Sequence, residues 1–154
     1  MSDPLTPEQR RKVMQGNRGK NTKLELAVRR GLHARGLRYR LHGSKSIGSP
    51  DIVFPRYGAV VFVHGCFWHQ HSGCRLAASV RGKTHDRWES KFLANIERDA
   101  RNIRAAREAG YRVAVVWECA VEHRKKMSAL RDGTLEQLEQ WLRDGASEQI
   151  IEIG

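Results

Sequence analysis

The apolar positions of this 154-residue chain change period several times, and each change marks an element. Leu24, Ala27, Val28, Gly31 and Leu32 recur at the three-and-four spacing of one helix face, with Thr22 and Glu25 as a capping box and Gly36 as the close. Leu37 to Leu41 alternates as a half-buried strand, and 42–50 is a Gly/Ser loop. Asp51 to Phe54 and Ala59 to Val63 flank a turn at Pro55 to Gly58 and read as a hairpin. Its second strand, apolar on both faces, belongs in the middle of a sheet. Phe92, Ile96, Ala100, Ile103 and Ala106 stripe a long helix from about Trp88 to Ala109, ended by Gly110. Tyr111 to Trp117 is a Val-rich strand, and Thr134 with Gln137 caps a last helix carrying Leu135, Leu138 and Trp141 or Leu142. Upstream, Thr6-Pro7-Glu8 opens a short basic helix that ends near Met14 to Gly16, before a linker G-N-R-G-K-N. Strands interleaved with helices predict an α/β fold, a mixed central sheet flanked by helices. The length predicts one domain over 1–154, with a basic N-terminal segment at 1–20 and a C-terminal tail at 145–154.

Charge narrows the function. The chain carries 28 Lys+Arg against 17 Asp+Glu, a net +11, and such a field calls for a polyanion, nucleic acid first among them. No apolar run approaches the ~18 residues of a membrane span, and M-S-D-P-L-T-P-E lacks the apolar core of a signal peptide. The expectation is a cytoplasmic protein whose thiols stay reduced. Three cysteines then point to metal binding or catalysis rather than to disulfides.

The densest chemistry lies in Ser49 to Cys74. His64, Cys66, His69, His71 and Cys74 fall within eleven positions, with Phe67 and Trp68 between them. Cys66, His71 and Cys74 have the spacing C-x4-H-x2-C, and Cys119 follows a later strand. Four soft donors satisfy tetrahedral Zn²⁺ with no open position, which predicts a structural zinc site; buried thiols without a metal are the plainer alternative. Asp51, His64 and His69 remain. A carboxylate heading a strand suits a hard cation such as Mg²⁺, and a neutral imidazole near it can deprotonate water. Together they describe metal-assisted phosphodiester hydrolysis. Asp51 could equally cap a turn, the histidines could be spare ligands, and Glu25 could serve its helix cap alone.

Phe67 and Trp68 sit in a polar loop, where an aromatic pair can wedge between base steps. Trp88, Lys91 and Asn95 share one helical face that could read bases, although Trp88 also lies four residues before Phe92 and could be core. Met14 is open in the same way.

The runs P-D-I-V-F, V-F-V-H-G-C-F-W-H, N-I-E-R-D and G-Y-R-V-A-V-V-W-E-C-A resemble the very-short-patch repair (Vsr) DNA mismatch endonucleases, over most of the chain from Thr6 onward. The resemblance implies a restriction-endonuclease-like fold in which V-F-V-H replaces the usual acidic-lysine motif. It implies catalytic Mg²⁺ on Asp51 and the backbone carbonyl of Val63, His69 as general base, and His64 and Glu25 assisting at the phosphate and water. Cys66, His71, Cys74 and Cys119 would hold structural Zn²⁺. Phe67, Trp68 and Trp88 would intercalate beside the mismatch, with Met14 entering from the other groove. The implied substrate is double-stranded DNA with a T·G mismatch left by deamination of 5-methylcytosine, nicked 5′ of the thymine. The implied setting is a monomer at the bacterial nucleoid, working beside other repair proteins. Two positions depart from the family pattern: Val63 stands where a hydroxyl residue is expected, and His71 to Cys74 is one residue longer than the best-known spacing. Two competing readings are a zinc-stapled DNA-binding module without catalysis and a nickase that reads intact sequence.

Overall fold

The computed structural model describes residues 6–8, 22–77, 85–122, 129–145 and 147–154. Its elements are α1 (Lys23–Ala34), β1 (Arg40–Leu41), β2 (Ile52–Phe54), β3 (Ala59–His64), α2 (His85–Glu108), β4 (Arg112–Trp117), β5 (Val121–Glu122), β6 (Ala129–Leu130), α3 (Asp132–Arg143) and β7 (Ile150–Ile153). Pro7 and Glu8 are helical; the rest of the expected first helix, Met14 included, lies outside the described residues.

Five strands form one sheet in the order β1-β2-β3-β4-β7, and β5 and β6 form a separate two-stranded ribbon. The hairpin of β2 and β3 is antiparallel, whereas β3, β4 and β7 run parallel. The mixed α/β sheet flanked by helices is therefore present as expected. A parallel strand needs a crossover, and α2 supplies the one between β3 and β4. Alternation along the strands sorts two cores. Ala59, Val61, Ala114 and Val116 pack with Val28 and Leu32 of α1 and Leu138 and Leu142 of α3. Val60, Phe62, Val113, Val115 and Trp117 face the other way, onto Ile103 and Ala106 of α2. Each fully buried aliphatic side chain contributes ~1.5–3 kcal/mol, so β4, buried along its whole length, is the axis of the fold.

Thr22 caps α1 as read from sequence, its hydroxyl accepting from the Glu25 N–H at 3.2 Å. Three expectations change. The core face of α2 runs through Phe92, Asp99, Ile103 and Ala106, while Ile96 is 44% exposed and Ala100 is also exposed. Each step of four residues overshoots the helical turn by about 40°, so starting from the buried Phe92 the positions 96 and 100 drift into solvent; 88 and 106 are five whole turns apart and stay aligned. The last helix begins at Asp132, with no side-chain cap, and Thr134 falls inside it. The pairing of Leu130 with Val121 delivers the chain into α3 two residues early. Residues 150–153, expected in a tail, form β7, because an inner strand apolar on both faces requires a neighbour on each side.

Arg112 locks these layers together. Its buried guanidinium donates to Trp141 O at 2.8 Å and Leu142 O at 3.0 Å, satisfying carbonyls at the end of α3, and lies 4.5 Å from the Trp141 ring.

Candidate active site

Two clusters occupy the end of the sheet where β3 and β4 finish, the end at which open parallel sheets carry ligand sites. The loop after β3 builds parts of both. It coils back on itself: His69 N–H donates to Gly65 O at 3.1 Å and His71 N–H to Cys66 O at 3.0 Å. The coil divides its side chains between two clusters, Cys66, His71 and Cys74 joining one and His64 and His69 the other.

On one side Cys66, His71, Cys74 and Cys119 converge, one donor atom from each lying within 4.8 Å of the others. His71 Nδ1 is 3.6 Å from Cys66 Sγ and 3.5 Å from Cys119 Sγ. Those are edge lengths of a tetrahedron of nitrogen and sulfur around zinc, about 3.6 Å, so the donor set fits a tetrahedral metal. The extra residue before Cys74 is absorbed by a turn in which Gly73 takes a left-handed φ of 72° and Cys74 N–H donates to His71 O at 3.2 Å. Burial pushes the Cys66 thiol up to about 12 and raises Cys119, whereas the Leu76 N–H pulls Cys74 down. A cation beside these two thiols would favour their ionised forms. Glu118 Oε2 accepts from Cys66 N–H at 3.1 Å and pins the loop from behind.

On the other side lies a second cluster. Asp51 sits where the hairpin ladder ends, its Oδ2 accepting from the Val63 N–H at 2.7 Å. Burial raises its pKa from an ordinary 3.8 to about 7, with the charge of Glu25 adding to the rise; the Val63 N–H and His69 oppose it. Two carboxylates so placed, one of them starved of counter-charge, suit a hard divalent cation. Glu25 is itself buried, and its Oε2 lies 3.7 Å from His42 Nε2.

His69 Nδ1 and Asp99 Oδ2, on α2, are 2.5 Å apart. An ionised carboxylate only accepts, so Nδ1 donates in this pair and Nε2 is the ring nitrogen left outside it. His64 stacks face to face on His69, ring centres 4.1 Å apart and planes 2° from parallel. Burial lowers the pKa of His64 to about 4, with the charge on His69 next in effect, so the stacked partner is neutral at physiological pH. Its Nε2 is 3.9 Å from Asp99 Oδ1, beyond hydrogen-bond reach.

Beside this cluster stands an aromatic one. Phe67 meets Phe92 edge-on at 5.2 Å and Trp88 at 5.8 Å; Trp68 tilts against Trp88 at 5.4 Å and is 38% exposed. Trp88 both packs on Phe92 and stays half-buried, so it joins core and surface. Lys91 Nζ lies 5.0 Å from the Trp88 ring. Asn95 is engaged within the protein: its Nδ2 donates to Trp68 O at 2.9 Å, and Arg98 donates to its Oδ1 at 2.7 Å. It braces the aromatic loop in this structure instead of presenting a free amide.

The sequence model of the family described as DNA mismatch endonuclease Vsr matches residues 2–75, which include both ends of this loop. The chain is 37% identical over 151 residues to DNA mismatch endonuclease Vsr of Escherichia coli (strain K12), covering 97% of this chain and 94% of that protein. The chain belongs to the Vsr family. It is also 51% identical over 119 residues to type II nicking enzyme V.XorIIP of Xanthomonas oryzae pv. oryzae, covering 77% of this chain and 86% of that one. To type II nicking enzyme V.NmeAIP of Neisseria meningitidis serogroup A it is 40% identical over 124 residues, 80% of this chain and 87% of the relative. This Vsr-family protein is thus a DNA endonuclease, a hydrolase of mismatch repair that nicks its substrate. Among its described residues no helix is long and apolar enough to cross a membrane.

The residue that sequence reasoning passed over is Asp99. A signal existed: Asp99 lies four residues beyond Asn95 on the same face of α2, within the run N-I-E-R-D. Reading that face as a base-contacting one from Trp88 to Asn95, and stopping there, passed over it. Glu118 and His42 gave no comparable signal, because each is near the site only through the fold.

Proposed function

We propose that this Vsr-family protein nicks duplex DNA on the 5′ side of the thymine in a T·G mismatch, in a Mg²⁺-dependent reaction that opens very-short-patch repair. The observation that carries the reading is the His69–Asp99 pair beside the half-buried carboxylate of Asp51. Asp51, with the backbone carbonyl of Val63 and Glu25 nearby, holds Mg²⁺; when bound, the ion supplies a Lewis acid for the charge that builds on the phosphate. His69 takes a proton from water at Nε2, because Asp99 occupies Nδ1 and steadies the imidazolium that results. His64, kept neutral by burial, backs the base without competing for the proton. Glu25 orders the water. Val63 removes any part a side-chain hydroxyl would play, but leaves the backbone contact to Asp51 intact.

Cys66, His71, Cys74 and Cys119 hold structural Zn²⁺, supported by donor spacings that match a tetrahedral edge. Phe67, Trp68 and Trp88 enter the duplex beside the mismatch, favoured by the exposure of Trp68 and by the bracing of its loop from Asn95; Lys91 meets the DNA at the same face, Asn95 serves that face through the loop it holds, and Met14 comes from the other groove. Base–aromatic stacking contributes ~1–3 kcal/mol per base and repays unstacking the mismatched step. The sheet order supports the restriction-endonuclease-like assignment, and the protein works as a cytoplasmic monomer alongside other repair proteins.

A second reading, nicking of an intact sequence, is favoured by the names of the type II nicking relatives. Labelled duplexes with T·G, T·A and C·G at one position separate the two, in Mg²⁺ and in EDTA. The mismatch reading expects a nick only at T·G and only with Mg²⁺; equal cleavage of the matched duplexes would overturn it.

A further inference from the structure

Among the described residues, His64 has no hydrogen bond to set its ring. Its Nδ1 is buried without a partner, and its Nε2 stands too far from Asp99. Imidazole rotation about its last torsion is soft, so a ring lacking hydrogen bonds is oriented by its neighbours alone. Those ring neighbours are His69 on its face, Trp117 at its edge at 5.2 Å and 74°, and Phe62, more distant, at 6.2 Å and 53°. His64 and Trp117 are register partners at the last positions of β3 and β4, so the contact is built into the sheet.

Trp117 is held from behind as well. The His71 ring stacks on it, 4.2 Å between centres and 7° between planes. Gly154, just past β7, closes the remaining space. A Cβ at that position would stand 2.9 Å from His71 Cε1, 2.9 Å from Trp117 Cβ and 3.0 Å from Cys119 Sγ. The indole Nε1 makes no hydrogen bond within the described structure, so shape rather than polarity explains an aromatic ring here. An unbroken run of rings therefore leads from the Cys/His corner to the proposed base: His71, Trp117, His64, His69, then the carboxylate of Asp99.

We propose that Trp117 is a positioning residue for the nicking reaction, fixing His64 and through it the face of His69, and that it carries the state of the Cys/His metal corner into the active site. The inference rests on the reading of His69 as the base. His71, if held by a metal in that corner, would present a fixed ring for Trp117 to lean on, and so would help set the geometry of the proton acceptor. Misplacement of a catalytic group by about 1 Å costs on the order of 100-fold in rate, so a loosened stack is felt in turnover before it is felt in affinity.

The test compares Trp117→Phe and Trp117→Leu with wild type in the full, metal-loaded chain. The readouts are single-turnover nicking of a T·G duplex, duplex affinity, metal content and the imidazole NMR signals of His64 and His69. Trp117→Phe, which keeps a ring, is expected within ~3-fold of the wild-type rate. Trp117→Leu is expected to slow the nicking step ~10-fold or more, with affinity within ~2-fold, metal retained, and both imidazole signals moved or broadened. A Leu variant that nicks at the wild-type rate overturns the proposal, as does equal slowing of Phe and Leu accompanied by metal loss, which marks a purely structural ring. If Trp117→Leu does not fold, Trp117→Met is held to the same criteria; should neither fold while Trp117→Phe does, the ring is structural and the proposal falls. His69→Ala is the control on the underlying reading. If His69→Ala nicks normally the active-site assignment has failed, whereas a dead His69→Ala beside fully active Trp117 variants refutes the positioning role alone.

Discussion

The two corners at the end of the sheet share a loop of eleven residues, from His64 to Cys74, yet they are built on opposite principles. The Cys/His corner is closed. Its four donors lie within 4.8 Å of one another, a number that suffices for a tetrahedral ion. The Asp51 corner is open. It gathers Asp51, Glu25, His64, His69 and Asp99 from α1, the hairpin, the loop and α2, and its groups disagree electrostatically: Asp51 holds its proton too tightly and His64 too loosely. A closed set of like donors gives its stabilisation to the fold. A set of mismatched titratable groups spends stability on chemistry. The difference teaches that proximity in sequence did not sort these residues; the fold of the loop did, by bringing each to one group or the other.

That contrast can be broken most sharply at the open corner. Asp51→Ala or His69→Ala should reduce nicking at least ~10³-fold while duplex affinity stays within a few-fold, since each removes a reacting group rather than a binding surface. Gel assays of nicking and binding on the same duplex check this, and parallel loss of both would mean the corner is structural.

The closed corner should respond in the reverse order. Cys119→Ser, or stripping by a strong zinc chelator, should lower the unfolding midpoint and depress binding and nicking together, by the several kcal/mol typical of a structural metal. Thermal unfolding with and without added Zn²⁺ is the measurement. A stripped protein as stable as the loaded one would show that the cysteines pack without a metal.

A smaller effect is expected at Asp99→Asn. The amide cannot steady an imidazolium and permits the wrong tautomer of His69, so the nicking step should slow ~10²-fold with folding and affinity retained. An unchanged rate would leave Asp99 as a packing partner of His69 and no more.

The smallest effect concerns stability and sharpens the comparison by its sign. Asp51 titrates near 3.8 when unfolded and at about 7 when folded, so the folded chain binds its proton more tightly. Its contribution is fully favourable below the lower value, is lost progressively as pH rises toward the upper one, and is constant above it. In metal-free protein, Asp51→Asn should therefore be more stable than wild type near pH 8, by a few kcal/mol at most, with the gap closing toward pH 4. Saturating Mg²⁺ should shrink the gap by favouring the ionised wild-type carboxylate. Equal urea midpoints at both pH values would show that Asp51 is not strained by burial.

Much of this was written in the chain. Periodicity is local, so the stripe of Leu24 to Leu32, the hairpin around Pro55 to Gly58 and the inner strand ending at Trp117 were readable from spacing alone. Residue chemistry is also local, so three cysteines and a histidine marked out in the sequence a group that the fold brings within 4.8 Å. Local rules failed where packing chose between faces. Ile96 looked like core but points outward, and residues 150–153 looked like tail but complete the sheet beside β4.

What only the tertiary structure decided is which groups meet. Asp99 reaches His69 from 30 residues away, Glu118 reaches Cys66 from 52, and Trp117 lies between His71 and His64 because parallel register sets it beside the last residue of β3. None of these pairings follows from the spacing of the residues involved. They depend on which strand ends lie side by side and which helix face covers them, and those choices are fixed only when the sheet closes over both of its cores.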